Sequence, residues 1–181
     1  LRMGRMEIVF LGVTNVGMEV YEWLCSRESV TVRGLITEKE QLDLVEELQP
    51  DMVVSVGYDH ILPPDILAVP TEGCINMHPA YLPYNRGITP NVWSIVDGTP
   101  AGAAIHHMDE GVDTGDIIAR TEIETRFNDT GRDLHKRLEQ AQYELFVETW
   151  PQIEADKIDP SKQQEDGTYY ELADFEELCE L

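Results

Sequence analysis

Short apolar runs alternate with segments of helical periodicity along the first third of the chain. MEIVFLG, residues 6–12, reads as a buried strand. The turn after it, flanked by Gly12 and Gly17, leads into a helix on which Val16, Val20 and Leu24 recur at helical spacing. Met18, Tyr21 and Trp23 fill in around that stripe, and Thr14 or Asn15 is placed to cap it. VTVRGLIT predicts a second strand and EKEQLDLVEELQP a short helix closed by Pro50. DMVVSVG predicts a third strand, valine-rich as in a buried parallel sheet. GYDHILPPDIL continues as a loop and a helix start, for which Pro63 and Pro64 are suited. This alternation predicts an α/β fold, a mostly parallel sheet with helices on both faces. The opening is Rossmann-like, but it lacks GxGxxG, so a tight structural turn is expected rather than a dinucleotide site.

Residues 74–115 carry the candidate chemistry. They read strand, loop, helix, strand, loop. Asn76 and His78 lie two apart, so an extended backbone points both to one side, and Pro79 ends the strand behind them. A second strand, from about Ala101 to Met108, runs into the loop DEGVDTG, which holds Asp113. An amide, an imidazole and a carboxylate are then expected to converge at the C-terminal ends of strands, where open α/β sheets place their sites. Beyond them, DIIARTEIE predicts a strand and NDTGRDLHKRLEQAQYELFVETWPQIEA a long amphipathic helix. Asp129 or Thr130 would cap that helix, with Leu134, Leu138, Leu145, Phe146 and Trp150 as its apolar anchors. The expected organisation is one catalytic domain over residues 1–158 and a C-terminal docking tail over 159–181.

Charge changes the picture of partners. The chain has 35 acidic against 13 basic residues in 181, a net charge of −22. Such a surface repels nucleic acid and acidic membranes, so neither is an expected partner. Acids scattered through the helices fit either an ordinary solvated surface or a halophile, where salt near 1 M shrinks screening to about 3 Å. The sequence holds no run of eighteen apolar residues, so no membrane helix is expected. Three cysteines without CxxC spacing argue against a disulfide framework and fit a reduced cytoplasm. Cys74 reads as a small core residue rather than a nucleophile. His106 and His107 would alternate faces on a strand, so they cannot join His78 and Asp113 in one metal site, and no metal is expected.

Two motifs together, NMHPAYLPYNRG at 76–87 and MDEGVDTGDI at 108–117, resemble the formyltransferase family that uses N10-formyltetrahydrofolate. The resemblance implies the Rossmann-like formyltransferase fold and a catalytic trio of Asn76, His78 and Asp113. It implies a pterin pocket formed by the segment with Tyr58, Ile61 and Leu62, the loop Ala80, Tyr81, Leu82 and Pro83, and the loop with Met108, Gly111 and Val112. It implies acceptor contacts at Tyr84, Arg86 and Gly87, and His106 matches a position common in the family. GTYYELADFEEL and NRGITPNVWSIVDGTP look most like members acting on nucleotide-linked amino sugars. Members usually carry a further β–α unit between GLIT and EKEQLDLVEELQP, so the N-terminal half reads as shortened. The implied partner is a small-molecule amine in the cytoplasm; a homodimer is admitted and not fixed.

The residue types suit that chemistry. Attack of an amine on a formyl carbon builds charge on the carbonyl oxygen and requires the nitrogen to shed a proton. An amide N–H, from Asn76, can donate to that oxygen. A neutral imidazole, from His78, can manage the proton, and a carboxylate, from Asp113, can orient it and balance its charge. Two alternatives stay open. The same trio with water in place of the amine would make a formyltetrahydrofolate hydrolase, and a shortened N-terminal half could leave a non-catalytic folate- or nucleotide-binding module.

Overall fold

A computed structural model describes residues 4–164 and 166–180. Its elements, in chain order, begin with β1 (Met6–Leu11), α1 (Asn15–Cys25), β2 (Val30–Ile36), α2 (Asp43–Leu48), β3 (Met52–Val56), α3 (Pro64–Leu67) and β4 (Cys74–His78). They continue with β5 (Arg86–Gly87), α4 (Pro90–Asp97), β6 (Ala101–His107), β7 (Ile117–Ile123), α5 (Gly131–Glu154), β8 (Tyr169–Tyr170) and α6 (Leu172–Cys179). The main sheet has the order β2-β1-β3-β4-β6-β7, and β5 pairs separately with β8.

Strand parity builds two cores. Ile8, Phe10, Val54, Val56, Ile75 and Met77 turn to one face, where Val16, Val20 and Leu24 of α1 and Leu145, Phe146 and Trp150 of α5 cover them. Val9, Leu11, Val53 and Cys74 turn to the other, under Val45 of α2 and Ile66 of α3. This is the period of two expected of strands buried on both faces. Each fully buried side chain of this size contributes about 1.5–3 kcal/mol. Phe146 stacks on Trp150 at 5.3 Å and meets the edge of Trp23 at 6.1 Å, fixing α5 against α1.

The caps settle open choices. Thr14 accepts from the Gly17 N–H at the start of α1. Thr130, not Asp129, caps α5, accepting from the Asp133 N–H while Asp133 Oδ2 accepts from the Thr130 N–H. The turn between β1 and α1 needs glycine for a packing reason. A Cβ at Gly12 would lie 2.0 Å from the Val56 carbonyl oxygen, and one at Gly17 2.6 Å from the same atom. The helix after β2 opens as a 3₁₀ turn at Lys39–Gln41, and α2 stops at Leu48, where Gln49 turns left-handed (φ 46) just ahead of Pro50.

The first four strands of the sheet are parallel, as expected. β6 and β7 are antiparallel to their neighbours. That reversal corrects one part of the expected arrangement: the trio meets at the C-terminal end of β4, but β6, which leads into the Asp113 loop, ends beside the start of β4. His107 of β6 faces Ile75 near the start of β4, and the Met108 N–H donates to the Cys74 carbonyl. The loop after β6 therefore leaves the sheet beside the beginning of β4. It must fold back along the sheet to bring Asp113 to His78 at the other end. Among the described residues no helix is long and apolar enough to cross a membrane.

Candidate active site

Asn76 and His78 share one face of β4 with Cys74, opposite Ile75 and Met77. They open into a cavity of about 980 Å³, which is also walled by the ends of β1 and β3 and by the loop after β6. Asp113 enters from that loop with φ 54, a left-handed conformation that Asp tolerates better than most residues. Its Oδ2 lies 3.5 Å from His78 Nδ1 and accepts the Gly87 N–H at 3.0 Å. Its Oδ1 lies 3.4 Å from His106 Nε2 and 3.4 Å from Asn76 Nδ2.

Both rings are oriented by backbone. His78 Nε2 lies 2.9 Å from the Asn85 carbonyl, and His106 Nδ1 lies 2.7 Å from the His107 carbonyl. A carbonyl oxygen only accepts, so those nitrogens carry the hydrogen of the neutral rings. The opposite nitrogens, His78 Nδ1 and His106 Nε2, are then free to receive a proton, and both face the one carboxylate. His106 Nε2 also lies 3.3 Å from Asn76 Nδ2, so the bare nitrogen accepts an amide hydrogen and orients that amide. Burial alone would push the Asp113 carboxyl up. Once protonated, the His78 ring by its charge and the His106 ring by its charge and hydrogen bond, together with the Gly87 N–H, overcome it and hold the group well below the usual carboxylate range. The arrangement is a fixed carboxylate flanked by two imidazoles and an amide, able to take, hold and return a proton beside an N–H donor.

The remaining candidate residues divide. Tyr58, Ile61, Leu62, Met108, Gly111, Val112 and Gly87 line the cavity with the trio. Ala80, Tyr81, Leu82, Pro83, Tyr84 and Arg86 do not. Ala80 and Leu82 are buried, Leu82 against Ala104 and Ile117. The Tyr81 ring lies under the Arg120 guanidinium at 4.3 Å. The Pro83 carbonyl accepts the Thr168 N–H, the Tyr84 N–H closes a turn on the Tyr81 carbonyl, and Arg86 Nε donates to Gln163.

Three residues carry more of the site than the sequence indicates. Asn85, fully buried with φ 58, supplies the carbonyl that orients His78, while its Nδ2 donates to Thr99 Oγ1 and its N–H to Thr168 Oγ1. A role played through a backbone carbonyl leaves no mark in residue type, although Asn is among the residues suited to a positive φ. His106 stands directly across from Asn76 in the sheet, a pairing that depends on the direction and register of β6. Ser55, 1% exposed, pairs in register with Asn76, lines the cavity, and has an Oγ with no protein partner.

The sequence profile of the family described as formyl transferase matches residues 20–150. The chain belongs to that family. The methionyl-tRNA formyltransferase of Clostridium tetani is 34% identical over 148 residues, covering 80% of this chain and 48% of its own length. That of Clostridium perfringens is 38% identical over 160 residues, covering 86% of this chain and 52% of its own. The chain thus spans about half the length of these relatives. Among solved structures, the formyltransferase PseJ from Anoxybacillus kamchatkensis, in complex with UDP-4,6-dideoxy-4-formamido-L-AltNAc and tetrahydrofolate, superposes with TM-score 0.83 at 34% identity, covering 97% of this chain and 90% of its own. A sugar N-formyltransferase from Shewanella sp. FDAARGOS_354 superposes with TM-score 0.87 at 24% identity, covering 97% of this chain and 80% of its own, and shares the fold.

Proposed function

We propose that this chain transfers a formyl group from N10-formyltetrahydrofolate to the primary amine of a nucleotide-linked amino sugar. One observation carries the proposal: Asn76, His78 and Asp113 meet in one cavity, with Asp113 Oδ2 facing the nitrogen of His78 that is free to gain a proton. The folate is a co-substrate, and the residues present fit it. Tyr58, Leu62, Met108 and Val112 give the cavity an apolar wall for a flat ring, next to the Gly111 backbone. The folate supplies the formyl carbon.

The new bond joins the acceptor nitrogen to the formyl carbon, and the bond broken joins that carbon to N10. The Asn76 amide hydrogen that is held only loosely by Asp113 Oδ1, at 3.4 Å, is given up to the oxygen on which charge develops, a contribution of about 3 kcal/mol for such a donor. His78 Nδ1 takes the proton shed by the acceptor, and the Asp113 carboxylate balances the imidazolium. N10 leaves needing one proton, which His78 returns, so the ring ends as it began. His106 holds the Asn76 amide in the donating orientation.

The acceptor class rests on the PseJ resemblance, which covers nearly the whole of both chains at 34% identity. The methionyl-tRNA relatives match at similar identity over half their length. A net charge of −22 opposes a tRNA backbone, whose binding depends on clustered basic residues. The test is incubation with formyltetrahydrofolate and a panel of UDP- and dTDP-linked amino sugars at high salt, with products read by mass. Formylated sugar supports the reading. Free formate without formylated amine would favour the hydrolase, and neither product would favour a binding module.

A further inference from the structure

Residues 161–164 and 166–170 run back across the outside of the site. Ser161 bridges to Ile117, and β8 adds to β5 through the pairs Arg86–Tyr169 and Gly87–Tyr170. Between them stands Gln163, whose amide is fully used. Its Nε2 donates to the Asp113 carbonyl at 2.7 Å and to the Gly115 carbonyl at 2.8 Å, and its Oε1 accepts Arg86 Nε at 2.8 Å. One side chain thus joins the loop that carries Asp113 to the strand that holds the Gly87 N–H on Asp113 Oδ2 and that follows directly on Asn85, whose carbonyl orients His78. Gln163 itself does not line the cavity.

We propose that Gln163 is a positioning residue: it sets Asp113 against His78 from behind, and touches neither donor nor acceptor. A lone Asp at positive φ is not held there by local preference, which disfavours the left-handed region for side chains with a Cβ. Two hydrogen bonds onto the carbonyls flanking Thr114 pin the loop in that conformation, and the bond to Arg86 refers it to β5. Nothing else among the described residues links the Asp113 carbonyl to β5 through one side chain. Thr168 plays the matching part at the His78 end, since its Oγ1 accepts the Asn85 N–H at 2.7 Å.

The test is Gln163→Glu in the full chain, alone and combined with Asp113→Asn. Glutamate keeps the length and an acceptor for Arg86, but it turns carboxylate oxygens toward two carbonyls. The Gly87 amide resonance by NMR reads the Asp113 position directly, calorimetry reads tetrahydrofolate affinity, and product mass reads transfer. In Gln163→Glu the Gly87 resonance is expected to move toward its position in Asp113→Asn while tetrahydrofolate affinity is unchanged. Transfer is expected to fall about 100-fold, as for a displacement near 1 Å, with no further loss once Asp113 is already Asn. An unmoved Gly87 resonance, or equal losses in both Asp113 backgrounds, overturns the proposal. Only the kinetic arm rests on the proposed reaction. A wild-type chain that formylates nothing sinks that reaction and leaves the resonance test standing. If Gln163→Glu does not fold, Gln163→Met removes the donors at similar volume and is read by the same criteria.

Discussion

At the scale of single residues, His78 and Asp113 form a unit whose two halves come from different parts of the chain and are held by one short stretch. The ring is oriented by the Asn85 carbonyl and the carboxylate by the Gly87 N–H, two residues apart on the same short stretch. The depressed carboxyl of Asp113 has a consequence for stability. A carboxyl lowered in the folded state stabilises the fold above its ordinary value, near pH 4, and that contribution is lost as pH falls toward the folded value. The gap in unfolding free energy between wild type and Asp113→Asn is therefore expected to narrow as pH falls from about 4 downward, followed by urea unfolding at each pH. A gap that widens in acid would contradict the paired carboxylate. The trio was legible in the sequence because i, i+2 spacing and the DTG loop depend on residue type. Asn85 was not, because its part is played by a carbonyl that every residue has.

At the scale of elements, alternating strands and helices predicted the parallel half of the sheet and both helical layers. The same pattern was silent on the direction of β6, since a strand reads alike from either end. That direction decides the site: it delivers His106 opposite Asn76 and obliges the Asp113 loop to double back. The pairing of β5 with β8 was also illegible, because each has only two residues and neither shows a period. Gly87 permits it. Its φ is 89, and a Cβ would lie 2.0 Å from the Tyr170 carbonyl oxygen. Tyr170 in turn stacks on Trp93 at 3.9 Å. Gly87→Ala is expected to release the tail from β5, so that limited proteolysis cuts between residues 159 and 168 faster than in wild type. Unchanged resistance would mean that the tail is held without β5.

At the scale of the whole molecule, the large acidic excess is the property that the fold does not explain. No element requires it, and the core residues are indifferent to it. Self-repulsion among 35 acids against 13 bases destabilises the compact state in dilute buffer, and salt relieves it. Thermal melts are expected to rise steeply from low to molar KCl. A flat series would leave the acidity as surface composition alone.

The central claim is that His78 acts on the transferred group while other residues hold the folate. His78→Ala tests it most directly, with formyl transfer and tetrahydrofolate affinity measured on the same preparation. Loss of a positioned acid–base group is expected to lower transfer by 10²–10⁴-fold, about 3–5 kcal/mol of barrier, with folate affinity largely retained. Transfer at the wild-type rate would contradict the claim and leave this cavity a binding site without His78 chemistry.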